Sequence, residues 1–403
     1  MKYGVNYTPR RGWFHSWLDL DLGQVREDFD QIADLGLDHV RIFPLWPLLQ
    51  PNRTLVRPRA LDDVVAVARV AGEAGLNVSV DALNGHLSSY DFVPNWLTSW
   101  HAADMFTDPR ALAGQRLLVR ELANAVRDLP NVTGMTLGNE FAQFARPDHP
   151  HPSDTDVTGA DAWLAAMFAE LDAVWPRGHH QHSHDDSVWF SEQMPFTPRQ
   201  AVTLGDVTTV HSWVFGHHGP LVGTDHPHLD LFARYLCEVA AAWAPDPERR
   251  IWLQEVGAPR PWVSDQRAPE FLRNTAIHAA GMPEVVALTW WCSHDVSPDL
   301  ADFPALEYSL GLFTSDGRAK PEAEALADLI KHPTTTHLVE RPAWVFDADW
   351  TSGAGRGGTA PGQELLRLWL QGAAVGVPPA LVRADQAEDS DLLDRRGITE
   401  LLG

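Results

Sequence analysis

Two glutamates in this sequence follow short apolar runs, and together they could carry out acid–base chemistry. Glu140 comes near the end of the stretch GMTLGNEF, and Glu255 near the end of IWLQEV. A strand that finishes on one carboxylate is often only a solvated boundary. Two carboxylates that face each other can break a glycosidic bond, because one protonates the departing oxygen and the other meets the positively charged carbon. The question is whether the fold brings them together.

Other polar and aromatic residues fall at the ends of the neighbouring apolar runs. They are Arg41 and Trp46, Asp81 and Asn84, Asn139, Glu192, His211 and Trp213, Gln254, and Trp290 and Trp291 with His294 and Asp295. Each alone can be an ordinary solvated strand end. Their occurrence on most of the strands indicates one shared functional surface.

The elements that would position these residues are short β-type runs alternating with longer amphipathic runs. Strands are predicted at 2–7, 39–45, 77–83, 132–139, 188–194, 206–213, 250–256 and 285–292. Helices are predicted at 22–35, 60–74, 110–128, 158–175, 229–243, 267–280 and 320–331, with a single turn at 197–202. Strands that are apolar on both faces favour a closed (β/α)8 TIM barrel. An open doubly wound sheet is disfavoured, because no G-x-G-x-x-G turn follows the first strand.

In such a barrel the C-terminal strand ends meet at one mouth, where active sites of this fold lie. The strands that end at Glu140 and Glu255 are the fourth and seventh, on opposite sides of the axis, so the two carboxylates can flank a sugar. A separation of about 5–5.5 Å would mean retention of configuration, and one of about 6.5–9.5 Å would mean inversion.

The chain changes character after residue 331. The stretches RPAWVFDADW and PPALVRAD read as strands, TSGAGRGGTAPG as a loop and QELLRLWLQGAAV as a helix, with a weakly helical acidic tail. We therefore predict a catalytic barrel at 1–331 and a small α/β appendage at 332–403 without catalytic residues of its own. The appendage is too small to bury much core alone, so it must pack on the barrel or on another subunit.

The motifs at the strand ends resemble those of clan A glycoside hydrolases. GNE on strand 4 and QEVG on strand 7 are similar to the acid/base and nucleophile motifs, and VRIFP, HSW and TWWCSHD resemble family 5 in particular. The order and spacing of the set make it specific, and the resemblance spans 1–331. It is closest to the subfamily 18 β-mannosidase-like branch. It implies a retaining, exo-acting β-glycosidase without cofactor or metal, whose substrate is terminal β-1,4-linked mannose on a short oligosaccharide such as Man-β1,4-GlcNAc.

Carried over residue by residue, the resemblance implies Glu140 as general acid/base and Glu255 as nucleophile. Arg41 would fix the charge of Glu255 and lower its pKa, as a nearby cation does. Asn139 would hold the 2-hydroxyl of the sugar in subsite −1. His211 would hydrogen-bond near the acid/base.

Aromatic residues and two departures complete the implied site. Trp291, or else Trp290, would form the floor beneath the −1 sugar. The family usually has Tyr where this chain has Trp213, whose indole N–H can also donate to the nucleophile. The family's His after strand 3 would fall near Asn84, and His86 is the candidate to replace it.

Several segments have two interpretations. Glu192 can bind a sugar hydroxyl or form an ion pair, and Trp46 and Trp96, in long loops at 44–57 and 84–107, can stack on sugars or pack the loops down. The segment 215–228 follows strand 6 and overhangs the mouth, as a binding loop, a lid or a plain surface loop. The histidine-rich segment 177–186 precedes the predicted fifth strand and is therefore expected on the opposite face, as a polar surface loop or as an adventitious metal-binding segment.

Three other functions compete with an exo-β-mannosidase. An endo-β-1,4-glucanase, a mannanase or another β-glycosidase of the clan would share the catalytic residues. A metal-dependent sugar isomerase or epimerase could use Glu140, Glu192, His211 and Glu255 as ligands, although the strand-2 Arg and the tandem Trp argue against it. A non-catalytic sugar-binding barrel is disfavoured because both carboxylates are present.

The bulk composition limits location and partners. The 403 residues include 54 acidic and 31 basic side chains, a formal charge of −23, and no basic run, which disfavours nucleic acid as a partner. The sequence contains no run of about 18 apolar residues, so no membrane span is predicted. The stretch MKYGVNYTP lacks the apolar core of a signal peptide, so a cytoplasmic protein is expected. The appendage loosely resembles a domain that mediates trimer contacts in family 42 β-galactosidases, which implies a homo-oligomer, with a trimer as first guess.

Overall fold

Seven parallel strands form one curved sheet in this computed structural model, which describes residues 1–100, 102–333 and 338–403. The sheet runs in the order β6-β3-β2-β1-β9-β8-β7, a three-stranded sheet runs β11-β10-β12, and β4 and β5 form a short hairpin. In chain order the strands are β1 (Lys2–Asn6), β2 (His39–Ile42), β3 (Asn77–Asp81), β4 (His86–Leu87), β5 (Tyr90–Asp91), β6 (Val132–Thr136), β7 (Thr208–Ser212), β8 (Ile251–Val256), β9 (Val285–Trp290), β10 (Arg341–Phe346), β11 (Ala380–Arg383) and β12 (Ile398–Leu402).

An eighth extended segment, residues 179–183, closes the sheet into a (β/α)8 barrel between β6 and β7. On the β6 side the amide of His179 donates to the carbonyl of Thr133 (2.9 Å) and that of Gln181 to Met135 (3.0 Å). On the β7 side the hydroxyl of Thr209 donates to the carbonyl of His182 at 2.7 Å. Gly134 permits the close approach, since a Cβ there would lie 1.6 Å from the carbonyl oxygen of His179.

The prediction of the fifth strand at 188–194 is therefore wrong, and so is the prediction of a surface loop at 177–186. Residues Ser187–Phe190 form one helical turn instead, and the fifth barrel position belongs to the histidine-rich segment. Its side chains alternate, so that His180, His182 and His184 face the helices while Gln181 faces the barrel interior. Neutral imidazoles can fill a buried layer, which is why this polar sequence is buried.

Helices follow the strands around the barrel. They are α1 (Leu22–Asp34), α2 (Trp46–Leu49), α3 (Pro58–Glu73), α4 (Asn95–Thr98), α5 (Pro109–Val126), α6 (Val157–Val174), α7 (Ser187–Phe190), α8 (Pro198–Thr203), α9 (His218–Val222), α10 (Phe232–Trp243), α11 (Ala268–Ala280), α12 (Pro321–Lys331), α13 (Glu364–Val375) and α14 (Ser390–Arg395), with 3-10 turns at Trp13–Leu18, Phe141–Ala145, Pro227–Leu231, Ala305–Ser309, Arg356–Thr359 and Ala384–Gln386. Three of the long helices begin at an aspartate whose carboxylate accepts backbone N–H bonds, Asp21, Asp108 and Asp156. The seven predicted helices and the other seven predicted barrel strands are confirmed within a few residues at each end.

The barrel interior is polar below the mouth. The amide of Gln181 donates to the hydroxyls of Ser79 (3.1 Å) and Thr136 (2.9 Å), and Gln254 donates to Thr136 at 3.3 Å. Asn6 donates to the carbonyl of Gln254 at 3.0 Å. This hydrogen-bonded layer holds the strands in register directly beneath the residues at their C-terminal ends.

The C-terminal segment packs against α10. Glu238 on that helix is fully buried and paired with Arg341 and with Arg234, the latter at 2.7 Å. Arg383 on β11 donates to the carbonyls of Ala242 (2.9 Å) and Trp243 (3.0 Å) at the end of the helix. The sequence analysis missed the last strand, β12, which pairs in parallel with β10. Within the described residues, no helix combines the length and hydropathy needed to span a membrane.

Candidate active site

A cavity of about 540 Å³ opens at the mouth of the barrel. Its lining includes His86, Asn139, Glu140, Trp213, Glu255 and Trp291, which the sequence predicts as site residues from the ends of five different strands. The barrel thus brings together most of the predicted site. The parallel strands do this because their C-terminal ends all point to one side of the sheet.

Arg41 lies at the base of this cavity and organises it. The side chain is fully buried, and its Nη1 donates to Oε1 of Glu255 at 2.7 Å. Nε and Nη2 donate to the two oxygens of Asp81 at 2.8 and 2.7 Å, and Nη2 also donates to Oδ1 of Asn139 at 2.7 Å. One guanidinium therefore fixes residues from strands β3 and β8 and from the loop after β6.

Glu140 stands just beyond β6 in a strained backbone conformation. Its φ of 45° and ψ of 38° lie in the left-handed region, which non-glycine residues rarely adopt. Its amide donates to the hydroxyl of Ser183 at 3.3 Å, and Gln143 donates to Oε2 at 3.1 Å. The turn aims the carboxyl across the mouth instead of along the strand.

His211 on β7 links the two glutamates. Its Nδ1 lies 2.7 Å from Oε1 of Glu140 and 3.3 Å from Oε2 of Glu255, and its Nε2 lies 3.1 Å from Oε1 of Gln254. One oxygen of each glutamate and a ring nitrogen of His211 all lie within 4.8 Å of one another. That spacing suits the retaining arrangement and is too short for the inverting one.

The three groups titrate as one unit. Burial alone would lower the pKa of His211, but the charges of Glu255 and Glu140 raise it above its usual value. Burial raises the pKa of Glu140, but the hydrogen bond and charge of His211 outweigh burial and bring this pKa to about 2. The pKa of Glu255 is raised above its usual value, because burial and the charge of Glu140 outweigh the lowering effects of His211 and Arg41, and this net shift is opposite to the lowering expected from Arg41. Between His211 and Glu140, these shifts favour the imidazole as the carrier of the shared proton.

Two tryptophans line the other side of the cavity. Nε1 of Trp213 donates to Oε2 of Glu255 at 3.3 Å, so the indole occupies the donor position that a tyrosine usually has in family 5. Trp291 packs edge-on against Trp213, with ring centroids 6.4 Å apart, and against Phe43. Its ring is buried and forms part of the cavity lining, as the floor of a sugar site would.

Two loops meet at one side of the cavity and form a wall there. The hairpin of β4 and β5 meets the loop after β9, where Ser88 donates to Oε2 of Glu307 at 3.1 Å and the hydroxyl of Tyr90 donates to the carbonyl of Ala301 at 3.2 Å. Tyr90 and Phe303 are in ring contact at 4.9 Å. The wall spans the side of the mouth above strands β9, β1, β2 and β3.

No protein-family model and no curated protein matches the chain. Solved structures match it over its full length. One of them is a GH5_18 enzyme from Streptomyces cattleya, solved as a glutamate-to-alanine variant in complex with Manβ1-4GlcNAc. It is 46% identical, the match covers 100% of this chain and 98% of that one, and the TM-score is 0.97. The same enzyme with GlcNAc covers 100% and 97% at 46% identity and a TM-score of 0.97.

A second GH5_18 enzyme, from Bifidobacterium longum subsp. longum ATCC 55813, was solved as a variant with Manβ1-4GlcNAc. It is 40% identical, covers 100% of this chain and 95% of its own, and has a TM-score of 0.96. The chain belongs to glycoside hydrolase family 5, subfamily 18. It is a retaining glycoside hydrolase on a (β/α)8 barrel, as the resemblance of its motifs implied.

Not every predicted site residue of this family 5 hydrolase lies in the cavity. Trp290 faces the helical layer, 6.4 Å from the ring of Phe271. Trp46 and Trp96 donate to Oε1 and to the backbone carbonyl of Gln50, at 2.9 and 3.0 Å, and they pack the loop down instead of lining the cavity. Asn84 is fully buried behind the lining.

Glu192 is placed furthest from its predicted role. It is exposed, and its Oε1 accepts from the amide of Gly355 at 2.9 Å, so it fastens α7 and the turn after it to the C-terminal segment. The four-ligand set of a metal-dependent isomerase is therefore not assembled. Of the three remaining members, Glu255 is paired with the guanidinium of Arg41, whose positive charge opposes a divalent cation at this position.

Several polar residues of the cavity were missed by the sequence analysis. Ser183, Asp185 and Asp186 reach the mouth because residues 179–183 form the fifth strand, and Glu307 arrives from the loop after β9. The strict alternation of HQHSH was the signal for the first three, because it is the period of a strand. Burial raises the pKa of Glu307 to about 7.

Proposed function

We propose that this family 5 hydrolase is an exo-acting β-mannosidase that removes terminal mannose from Man-β1,4-GlcNAc and similar short oligosaccharides. The assignment of this substrate is supported by sequence identities of 46% and 40%, over the full chain, to two enzymes solved with Manβ1-4GlcNAc. The partner of the protein is thus a small oligosaccharide, and neither nucleic acid nor a membrane is required.

In the proposed mechanism Glu255 is the nucleophile. It attacks the anomeric carbon of the mannosyl unit, and the C–O bond to the leaving sugar breaks. Arg41 at 2.7 Å and Trp213 at 3.3 Å hold one oxygen each and orient the carboxylate toward the sugar. Asn139, fixed by Arg41 and by the carbonyl of His86 (3.1 Å), is in position to bind the 2-hydroxyl.

Glu140 is the proposed acid/base, working with His211. The pair holds one proton across 2.7 Å and delivers it through Glu140 to the departing oxygen. In the second half-reaction Glu140 takes a proton from water, the resulting hydroxide attacks the anomeric carbon, and Glu255 leaves as a carboxylate. The shared proton returns to the pair, so the cycle closes with retention.

Exo action is supported by the wall at one end of the cavity. The Ser88–Glu307 bond and the Tyr90–Phe303 contact block the direction in which a longer glycone would extend. An endo-acting glucanase or mannanase needs a cleft open at both ends. The wall therefore favours a single sugar on the glycone side, with Trp291 as its floor.

The decisive experiment compares substrates on the purified full chain. We expect turnover of Man-β1,4-GlcNAc and of 4-nitrophenyl β-mannoside, with much weaker activity on the β-glucoside and β-galactoside and none on polymeric mannan. Incubation with EDTA should leave the rate unchanged, which an isomerase would not tolerate. Turnover of another β-glycoside without turnover of the mannosides would contradict the proposed substrate specificity.

We also propose the location, assembly and domain division of the enzyme. A cytoplasmic site of action is supported by its two cysteines, Cys237 and Cys292, which are buried free thiols. A homo-oligomer, with a trimer as first guess, is supported by apolar side chains left exposed on the C-terminal segment, among them Val375. The division into 1–331 and 332–403 is supported by the end of α12 at Lys331 and the start of a separate sheet at Arg341.

A further inference from the structure

Beneath the two glutamates, His211 is joined to the polar layer of the barrel interior through Gln254. Nε2 of His211 lies 3.1 Å from Oε1 of Gln254, and Nε2 of Gln254 donates to Oγ1 of Thr136 at 3.3 Å. Gln181 donates to the same hydroxyl oxygen at 2.9 Å. All four residues are at most 2% exposed, so bulk water does not compete for these hydrogen bonds.

The hydroxyl of Thr136 gives this series of hydrogen bonds a direction. Its oxygen accepts from both glutamines, which occupies its two lone pairs and leaves its own hydrogen to be donated elsewhere. Asp81 is the cross-strand partner of Thr136; burial raises the pKa of this aspartate, whereas Arg41 and the Thr136 hydroxyl lower it. The hydroxyl hydrogen is thus directed to Asp81, and Gln254 must turn its amide nitrogen to Thr136 and its oxygen to the imidazole.

That orientation of Gln254 decides which nitrogen of His211 carries a hydrogen. An amide oxygen can only accept, so Nε2 of His211 carries a hydrogen whether the ring is neutral or charged. The proton exchanged with Glu140, whose Oε1 is 2.7 Å from Nδ1, therefore resides on Nδ1. If the pair loses this proton, a bare Nδ1 faces an ionised carboxylate, and that repulsion makes the pair retain its shared proton.

We propose that Gln254, held in place by Thr136, is a positioning residue for the acid/base step. It fixes the hydrogen on Nε2 of His211 and so reserves Nδ1 for the proton shared with Glu140. Without the amide oxygen, the neutral ring can carry its hydrogen on Nδ1, where it satisfies the ionised Glu140 and removes the need for a shared proton. This inference deepens the proposed function, because it rests on Glu140 and His211 as the acid/base pair.

Charged and titratable groups face His211 from several elements. Burial and the charge of Arg41 lower the pKa of His211, and the charges of Glu255 and Glu140 raise it above its usual value. Other groups that interact with the ring through their charges are Asp81, His184 and Asp186. The variants described below retain every one of these groups, so a shift of the pH profile reports the hydrogen bonds of the amide.

The test is the pH dependence of kcat/KM on Man-β1,4-GlcNAc, or on whichever β-glycoside with a sugar leaving group the wild type cleaves. Gln254→Met keeps the size of the side chain and removes the acceptor. We expect it to move the basic limb to lower pH by about one to two pH units, the range for one hydrogen bond to a charged group, because the pair then loses its proton more readily. Thr136→Val should cause a smaller shift in the same direction, since Gln254 is then free to turn.

Gln254→Glu and Thr133→Val are the controls. Gln254→Glu retains an oxygen acceptor for Nε2 of His211, so its basic limb should stay at or above the wild-type position, a rescue that a purely structural role would not produce. Thr133 is exposed on the same strand as Thr136, and its hydroxyl donates to a backbone carbonyl at 3.2 Å, so Thr133→Val should leave the profile unchanged. An unchanged basic limb in both Gln254→Met and Thr136→Val, or a shift to lower pH in Gln254→Glu, would overturn the proposal.

A measurement on the free enzyme separates this inference from the proposed function. Nitrogen-15 NMR spectra of protein with labelled histidine distinguish a ring nitrogen that carries a hydrogen from a bare one, and His211→Gln identifies the signals. Above the basic limb we expect the hydrogen on Nε2 in the wild type and on Nδ1 in Gln254→Met. A wild-type hydrogen on Nδ1 would overturn the inference and leave the substrate untouched, and this spectrum decides even where a variant fails to fold. If the enzyme cleaves no mannoside but shows the expected signals, the substrate is wrong and the role of Gln254 stands.

Discussion

His211 connects the two carboxylates at the scale of single residues. It is fully buried, 2.7 Å from Glu140 and 3.3 Å from Glu255, and two anions raise its pKa against the effect of burial. A protonated His211 between the two carboxylates reduces their mutual repulsion, so they can lie close together. The imidazole also lies within one hydrogen bond, 2.7 Å, of Glu140, the proposed acid/base.

The first prediction concerns the roles of the two glutamates. Glu255→Ala should lose turnover by several orders of magnitude, and azide should restore it as the α-glycosyl azide, because the small anion fits the space of the missing nucleophile. Glu140→Ala should spare aryl mannosides with good leaving groups more than Man-β1,4-GlcNAc, since these need little protonation. Product analysis by NMR distinguishes the azide anomers. Equal losses on both substrates for Glu140→Ala would argue against the acid role.

Much of the site was predictable from residue order alone. Arg41, Asn139, His211 and Glu255 come at strand ends whose positions a regular β/α alternation fixes, and the structure brings them together. Asp186 was not predictable, because hydrophobicity made 188–194 look like the strand and pushed the preceding residues to the wrong face. Burial of neutral histidines does not show in a hydropathy pattern.

At the scale of elements, the fifth strand is held by histidines in place of aliphatic residues. His182 contacts Phe168, at a centroid distance of 5.6 Å, and His184, at 4.7 Å. Both ring nitrogens of His182 and of His184 lack a hydrogen-bond partner within the described residues. Burial, with the charge of Arg249, lowers the pKa of His182 to about 3, and burial lowers that of His184 well below its usual range.

The second prediction follows from the sign of these shifts. The unfolded chain protonates His182 below pH ~6.5, whereas the folded protein does not until about pH 3, so the folded state loses stability as the pH falls through this window. At pH 5.5 the loss for one such histidine is about 1.4 kcal/mol relative to neutral pH. His182→Phe should lose correspondingly less between pH 7.5 and 5.5.

Urea unfolding at the two pH values measures the difference. Comparing each protein with itself removes any packing cost of the larger ring. His332→Phe is the control, because His332 is exposed at the end of α12 and its replacement should leave the pH effect of the wild type intact. Identical losses in wild type and His182→Phe would contradict the buried, neutral state of this histidine.

At the scale of the whole molecule, the C-terminal segment is part of the catalytic body. Every residue of α10 is buried, and β11 covers the end of that helix through Arg383. Arg356 donates to the carbonyls of Ser191 (2.8 Å) and Met194 (2.8 Å), which follow α7 on the barrel. Removing the segment would leave Glu238 without two of its arginines, and breaking such a buried pair costs about 3–5 kcal/mol. A truncated barrel is therefore a poor probe of assembly.

The third prediction tests assembly with the chain intact. Val375, at the end of α13, is 88% exposed, Val377 is 45% exposed, and β12 is an open edge of its sheet. Exposed apolar side chains and an unpaired strand edge are each features of contact surfaces. We expect an oligomer by light scattering, with a trimer as first guess, and dissociation in the double variant Val375→Glu, Val377→Glu. Leu55→Glu, at an exposed leucine of the barrel loops (51%), should leave the mass unchanged.

The outcome also bears on aglycone selection. If dissociation of the oligomer leaves the preference for Man-β1,4-GlcNAc over Man-β1,4-Glc unchanged, the leaving sugar is bound within one chain. If the preference disappears with the oligomer, a neighbouring subunit completes that side of the site. A wild type that is a monodisperse monomer would rule out the assembly. The leaving sugar would then be bound by residues of one chain alone.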